Sequence, residues 1–77
     1  MKINKSHIEP NERLEDSPLL SLRLKNVLYR AGIETFEQLS KYSELHLLRL
    51  PGFGQSAMEE IIILESFTDF RLKSNFE

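Results

Sequence analysis

The stretch Leu47-Leu48-Arg49-Leu50-Pro51-Gly52-Phe53-Gly54-Gln55-Ser56-Ala57-Met58-Glu59-Glu60-Ile61 decides how the rest of the sequence is read. Pro51 lacks an N–H, and the glycines on either side of Phe53 free the backbone to turn through positive φ, so no helix continues across residues 51–54. Phe53 is placed to plug that turn into a core. On the upstream side, Ser43 caps a helix over 44–49 with Leu45 and Leu48 inward. On the downstream side, Ser56 and Glu59 have the spacing of a capping box for a helix over 56–66, with Met58, Ile61 and Ile62 as its inner stripe and Glu65 at the edge. A second helix that starts straight out of a tight turn aims its free N–H groups outward. With the positive end of the helix dipole these suit a phosphate oxygen, at roughly 0.3–1 kcal/mol per exposed contact. This is the pattern of a helix-hairpin-helix, which grips DNA by its backbone. A plain connection between two antiparallel helices uses the same Gly-x-Gly turn, so both readings stay open on this motif alone.

Upstream, the punctuation is equally local. Ser17-Pro18 starts a short turn carrying Leu19 and Leu20. Ser21 is an N-cap for a helix over 22–31, and Gly32 stands at the position that ends it. Within that helix Leu24, Val27, Leu28 and Ala31 recur at three- and four-residue spacing and form one buried face. Thr35 and Gln38 form a capping box for a short helix over 36–41. Nothing alternates at period two for long enough to make a sheet. The expected fold is all-α, a compact bundle of four to five short helices with a helix-hairpin-helix, spanning 17–72. Residues 1–16, with Ile3, Ile8 and Leu14 at no steady period, read as a flexible N-terminal tail, and 73–77 as a C-terminal tail.

Composition bounds the function. Seventy-seven residues hold one core, which excludes a multidomain enzyme. The sequence is 40% apolar and 29% charged, a globular balance, and its 10 Lys+Arg against 12 Asp+Glu leave a net charge of −2, which speaks against a non-specific basic coat for nucleic acid. There is no cysteine, hence no disulfide, thiolate metal ligand or thiol nucleophile. His7 and His46 stand without a second ligand or a carboxylate at catalytic spacing, so no metal, cofactor or catalytic residue is expected. The longest apolar run, 61–64, is far short of a bilayer crossing, and no apolar stretch follows the first lysines as a secretory signal requires, so a cytoplasmic setting is expected. The charges are polarised along the sequence: 23–30 carries Arg23, Lys25 and Arg30 without an acid, whereas 59–69 carries Glu59, Glu60, Glu65 and Asp69 without a cation.

The run Ser21-Leu22-Arg23-Leu24-Lys25-Asn26-Val27-Leu28-Tyr29-Arg30-Ala31-Gly32-Ile33, followed by Phe36, Leu39 and then the hairpin, resembles the C-terminal domain of the bacterial RNA polymerase alpha subunit. The resemblance covers roughly residues 19–72 in order. It implies a compact helical domain that docks on the minor groove of A/T-rich duplex DNA upstream of promoters and contacts transcription activators; RNA polymerase or a transcription regulator is the expected protein partner, and the domain is expected to be a monomer. Carried over by position, the family's critical arginine falls on Arg23, its asparagine on Asn26, its hairpin glycine on Gly54 and its glutamate on Glu60. Lys25 adds positive potential, Gly52, Gln55 and Ser56 complete the expected DNA surface, and Glu59 with Glu60 are the candidate protein contacts. The sequence departs from the family where Lys-Ser usually follows the glycine, for here Ser56-Ala57 stands. A protein that starts at Met1 without the subunit's assembly domain is expected to be a free-standing relative unless it is an excised piece. Two alternatives remain: a protein-interaction module of the same fold with little DNA binding, and a detached DNA clamp of the kind found in repair nucleases and ligases, against which Arg23 and Asn26 speak.

Overall fold

The computed structural model describes residues 6–74. Among them the polypeptide forms a 3-10 turn (Leu14–Asp16) and four α-helices: α1 (Leu22–Arg30), α2 (Phe36–Ser40), α3 (Glu44–Leu48) and α4 (Gln55–Phe67). Extended pairing among the described residues is limited to two isolated bridges, Ser6 with Thr68 and Arg13 with Thr35. The architecture is all-α, as expected.

Each of the first three helices starts where a hydroxyl can take up an orphan N–H. Ser21 accepts from the Leu24 N–H at 3.1 Å and Ser43 from that of His46 at 3.3 Å. Thr35 and Gln38 form the full reciprocal box, with Gln38 Oε1 also accepting from the Glu34 N–H at 2.6 Å. The end of α1 is a Schellman motif. Gly32 takes φ +79°, its N–H reaches the Tyr29 carbonyl, the Ile33 N–H reaches that of Leu28, and both Leu28 and Ile33 are buried.

The core gathers Leu24, Val27 and Leu28 of α1, Phe36 and Leu39 of α2, Leu47 of α3, and Met58, Ile61 and Leu64 of α4. Phe36 meets Phe70 edge to face at 5.6 Å between ring centroids. Three of the expected inward positions are corrected here. In α3, Leu45 and Leu48 are 55% and 45% exposed, and Leu47 is the fully buried residue. A five-residue helix is little more than one turn, so periodicity cannot phase it, and its orientation follows from the buried Ser43 cap instead. In α4, Ile62 is 47% exposed and Leu64 takes its place, because successive residues differ by ~100° about the axis and the run 61–64 cannot all face one side.

The segment expected as a tail is, over residues 6–16, part of the fold. Ile8 and Leu14 are buried in the core. The Ser6 N–H donates to the Phe67 carbonyl and the Asp69 N–H to that of Ser6. Further along, the carbonyls of Pro10 and Glu12 accept from the N–H groups of Glu37 and Phe36 at 2.8 and 3.1 Å. These are first-turn donors of α2, so the segment completes the capping of that helix. His7 and Asp69 are joined through their side groups, and Asp69 also accepts from the Ile8 N–H at 2.8 Å. At the other end, the Lys73 N–H still bonds the Tyr42 carbonyl. Residues 1–5 and 75–77, the remaining parts of the expected tails, lie outside the described residues. No helix among those described is long and apolar enough to cross a membrane.

The burial pattern gives a paired expectation in urea unfolding. Leu47→Ala destabilises the domain by about 2–4 kcal/mol, whereas Leu48→Ala costs under about 1 kcal/mol; equal losses would mean that α3 is turned differently. The His7–Asp69 clasp carries a pH signature. Its hydrogen bond to Asp69, then that to Glu9, raises the His7 pKa; the bond from His7, then that from the Ile8 N–H, lowers that of Asp69. The histidine's contribution is therefore fully present below its ordinary pKa and fades as pH rises through the raised value. That of the aspartate is present above its ordinary pKa and fades as pH falls through the lowered value. The clasp is tightest in the mildly acidic range between them. A proton NMR titration of His7 should give a midpoint above that of the urea-unfolded protein, and Asp69→Asn should narrow the gap, Glu9 holding what remains of it.

Candidate nucleic-acid interface

Helices α3 and α4 pack on one another and the hairpin between them turns on a few bonds. The Phe53 N–H donates to the Leu50 carbonyl at 3.1 Å, and Phe53 is buried as the plug. Only Gly52 of the two hairpin glycines uses positive φ, at +80°; Gly54 is extended at φ −115°. A Cβ on Gly52 would lie 3.5 Å from Cγ2 of Val27, an ordinary contact, so backbone conformation rather than space selects glycine there.

Gly54 is also the N-cap of α4, and that helix has no cap from a side group. This corrects the expected Ser56–Glu59 box. The Met58 N–H already bonds the Gly54 carbonyl, so Ser56 sits inside the first turn, where its hydroxyl cannot act as an N-cap. The N–H groups of Gln55, Ser56 and Ala57 are thereby left without an intrahelical partner.

Those donors open into a cleft of ≈190 Å³. Its lining brings together Arg23, Gly52, Gly54, Gln55, Ser56 and Glu60 from the expected set, with Leu24, Val27 and Ala57. Arg23 is exposed on the first turn of α1 and, among the described residues, its guanidinium has no hydrogen-bond or ion-pair partner. It is set beside the hairpin by a clamp between helices: Glu60 of α4 accepts from the N–H of Ser21 at 3.1 Å and from its hydroxyl at 2.7 Å. The carboxylate expected as a protein contact is thus engaged inside the molecule, while Glu59 beside it is exposed.

The other expected cations and donors separate. Asn26 is exposed one turn after Arg23 and is not part of the cleft lining. Lys25 is turned away: its Nζ donates to the Glu15 carbonyl at 3.3 Å, and it lines a different depression with Arg13, Leu14 and Glu34. The reason is rotation, since residues two apart on a helix point ~200° apart. Sequence reasoning missed the Ser21–Glu60 clamp, whose partners stand 39 residues apart with no local pattern to announce them.

A short bundle whose hairpin brings an arginine with an unpartnered guanidinium up to a helix N-terminus without a side-chain cap defines a small helix-hairpin-helix domain. Comparison with known proteins narrows the class. The family of the C-terminal domain of the bacterial RNA polymerase alpha subunit matches residues 12–65, and the protein belongs to that family. The match begins upstream of the resemblance at 19, within the packed N-terminal segment. Among curated proteins, this one is similar to the DNA-directed RNA polymerase subunit alpha of Gracilaria tenuistipitata var. liui, at 39% identity over 59 residues, 77% of this sequence and 19% of the relative. The same subunit of Thermotoga petrophila is 36% identical over 58 residues, 75% of this sequence and 17% of the relative. That of Gloeobacter violaceus is 46% identical over 43 residues, 56% and 14% of the two sequences. The protein thus spans less than a fifth of the length of these relatives. No solved structure matches it.

The uncapped helix gives a test in which stability and binding move in opposite directions. Gly54→Asp places a capping carboxylate on an extended residue whose Cβ has open space around it. Thermal unfolding should show an unchanged or higher midpoint, by up to about 1 kcal/mol of stabilisation, while any anion held by the first-turn amides should be displaced and repelled. Gly52→Ala, which forces alanine to positive φ, should instead cost about 1–2 kcal/mol.

Proposed function

We propose that this domain is a non-catalytic, transcription-related DNA-binding module of the cytoplasm. It docks with Arg23 in the minor groove of A/T-rich duplex DNA while the first-turn amides of α4 hold a phosphate of the flanking backbone. The observation that carries this reading is the pairing of an exposed, unpaired Arg23 with the uncapped start of α4 across one cleft. A guanidinium is drawn to the narrow minor groove of A-tracts, where the negative potential is greatest. Helix N-termini supply the phosphate contact through N–H groups and dipole together. Gln55 and Ser56 add neutral hydrogen bonds only, which makes the binding weaker than a charged pair would. Family membership supports the transcriptional setting, with RNA polymerase or a regulator as the protein partner.

A second reading, a protein-interaction module with little DNA affinity, draws on the outer side of α4. Ile62, Ile63 and Phe67 are exposed there, near the acidic residues of the same helix.

Titration with short A/T-rich and G/C-rich duplexes at two salt concentrations, followed by amide shifts, separates the two. The DNA reading expects Arg23, Asn26 and the amides of 52–57 to move together, with A/T-rich DNA preferred. Arg23→Ala should weaken binding by about 1–3 kcal/mol. With few phosphates held, log K should fall against log salt with a slope of about −2 to −3. Unmoved amides at 52–57 under millimolar DNA would leave the interaction-module reading in its place.

A further inference from the structure

Arg30 closes the last turn of α1 and is exposed. Like that of Arg23, its guanidinium has no hydrogen-bond or ion-pair partner among the described residues. Seven positions separate the two, so they lie within ~20° of one another about the helix axis and ~10 Å apart along it. Between them sits Val27, the residue against which the hairpin rests, its Cγ2 being 3.5 Å from the place of a Gly52 Cβ. The hairpin consequently has a depression on each side. The first is the Arg23 cleft; the second, of ≈270 Å³, is lined by Arg30, Val27, Ala31, Leu50, Pro51 and Gly52. Val27 and Gly52 belong to both, so the two are neighbours on a single face of the molecule. The first turn of α4 contributes no cation of its own to that face, since Gln55, Ser56 and Ala57 are neutral.

We propose that Arg30 is the second cationic anchor of the DNA interface, gripping a backbone phosphate on the far side of the hairpin from the Arg23 cleft. The proposal rests on the DNA reading above and extends it to a residue to which the resemblance gave no role. The two arginines bracket the hairpin, and the duplex lies along the face they share. Arg23 reads groove width, and Arg30, holding a phosphate, adds affinity without sequence preference. Arg30 also stands at the negative end of the α1 dipole, which by itself would affect stability alone.

Fluorescence anisotropy with A/T-rich and G/C-rich duplexes across a salt series tests this on the wild-type protein, Arg23→Ala, Arg30→Ala, Arg30→Gln and Lys41→Ala. Lys41 is an exposed cation that lines neither depression, and its loss changes net charge equally. Arg30→Ala and Arg30→Gln should each weaken both duplexes by the same factor, about 3- to 10-fold, and reduce the salt slope by about 1. Lys41→Ala should stay within about twofold of wild type, and the urea midpoint of Arg30→Gln should show that the domain remains folded. If both Arg30 variants match Lys41→Ala while Arg23→Ala still weakens binding, Arg30 is no anchor and the DNA reading survives. If the wild-type protein binds neither duplex, the reading beneath the proposal falls with it.

Discussion

Ser21 and Glu60 carry the geometry on which the rest of the site depends. One serine does two things: its oxygen accepts the Leu24 N–H and so starts α1, and its N–H and hydroxyl proton go to a single carboxylate on α4. The start of α1 is thereby tied to the second turn of α4, through a residue 39 positions from Ser21. A charged acceptor taking two hydrogen bonds is stronger than a neutral pair. It also uses up the only acid that the described residues bring to the cleft lining, so that Arg23 next door remains without a carboxylate partner among them. An acidic residue in the cleft would ordinarily count against the proposed anion binding there; here it is engaged as a structural acceptor.

The same economy of capping explains how so small a domain closes its core without a disulfide. At this size a domain buries only about 60% of what its unfolded form exposes, and every orphan N–H matters. The segment from Ser6 onward supplies what α2 lacks, through the carbonyls of Pro10 and Glu12, and brings Ile8 and Leu14 under the bundle as it passes. Thr68 finishes α4 in the same spirit, its buried hydroxyl donating to the Leu64 carbonyl at 2.6 Å and accepting from the Phe70 N–H. Phe70 can then turn in to meet Phe36. The two ends of the domain are held by the helices they cap.

What could be read from the sequence follows this division between local and distant bonds. The caps at Ser21, Thr35 and Ser43 and the stop at Gly32 were legible because donor and acceptor lie within a few residues. The phase of α3 was not, since one turn has no period, and Leu47 rather than Leu45 or Leu48 turned inward. The packed segment 6–16 escaped because its bonds go to α2 and to residues after α4, and Ile8 and Leu14 follow no helical spacing. Of the residues that line the cleft, the hairpin and Arg23 could be named from motif and resemblance. The wrong side for Lys25 follows from helical rotation once α1 is phased by Leu24, Val27 and Leu28. The place of Arg30 beside the hairpin required the fold, because only the packing of Gly52 on Val27 puts the loop between the two arginines.

Among the described helices, the missing cap is then informative. Ser21, Thr35 and Ser43 each give a hydroxyl to the helix that follows, whereas α4, the longest, begins at a glycine and has none. Its N–H groups carry a cost that a serine at position 54 would reduce, and the open space around Gly54 shows that packing does not forbid one. Three helix starts carry a hydroxyl cap and the fourth a glycine, which leaves more of its N–H groups open, and that start lies beside an arginine whose guanidinium has no partner among the described residues. Donors left open here suit a ligand that brings its own oxygens, and the net charge of −2 fits a surface in which the cations of α1 are set apart from the acids of α4. The affinity of such a site depends on which cations face the hairpin, and the total charge of the protein says little about it.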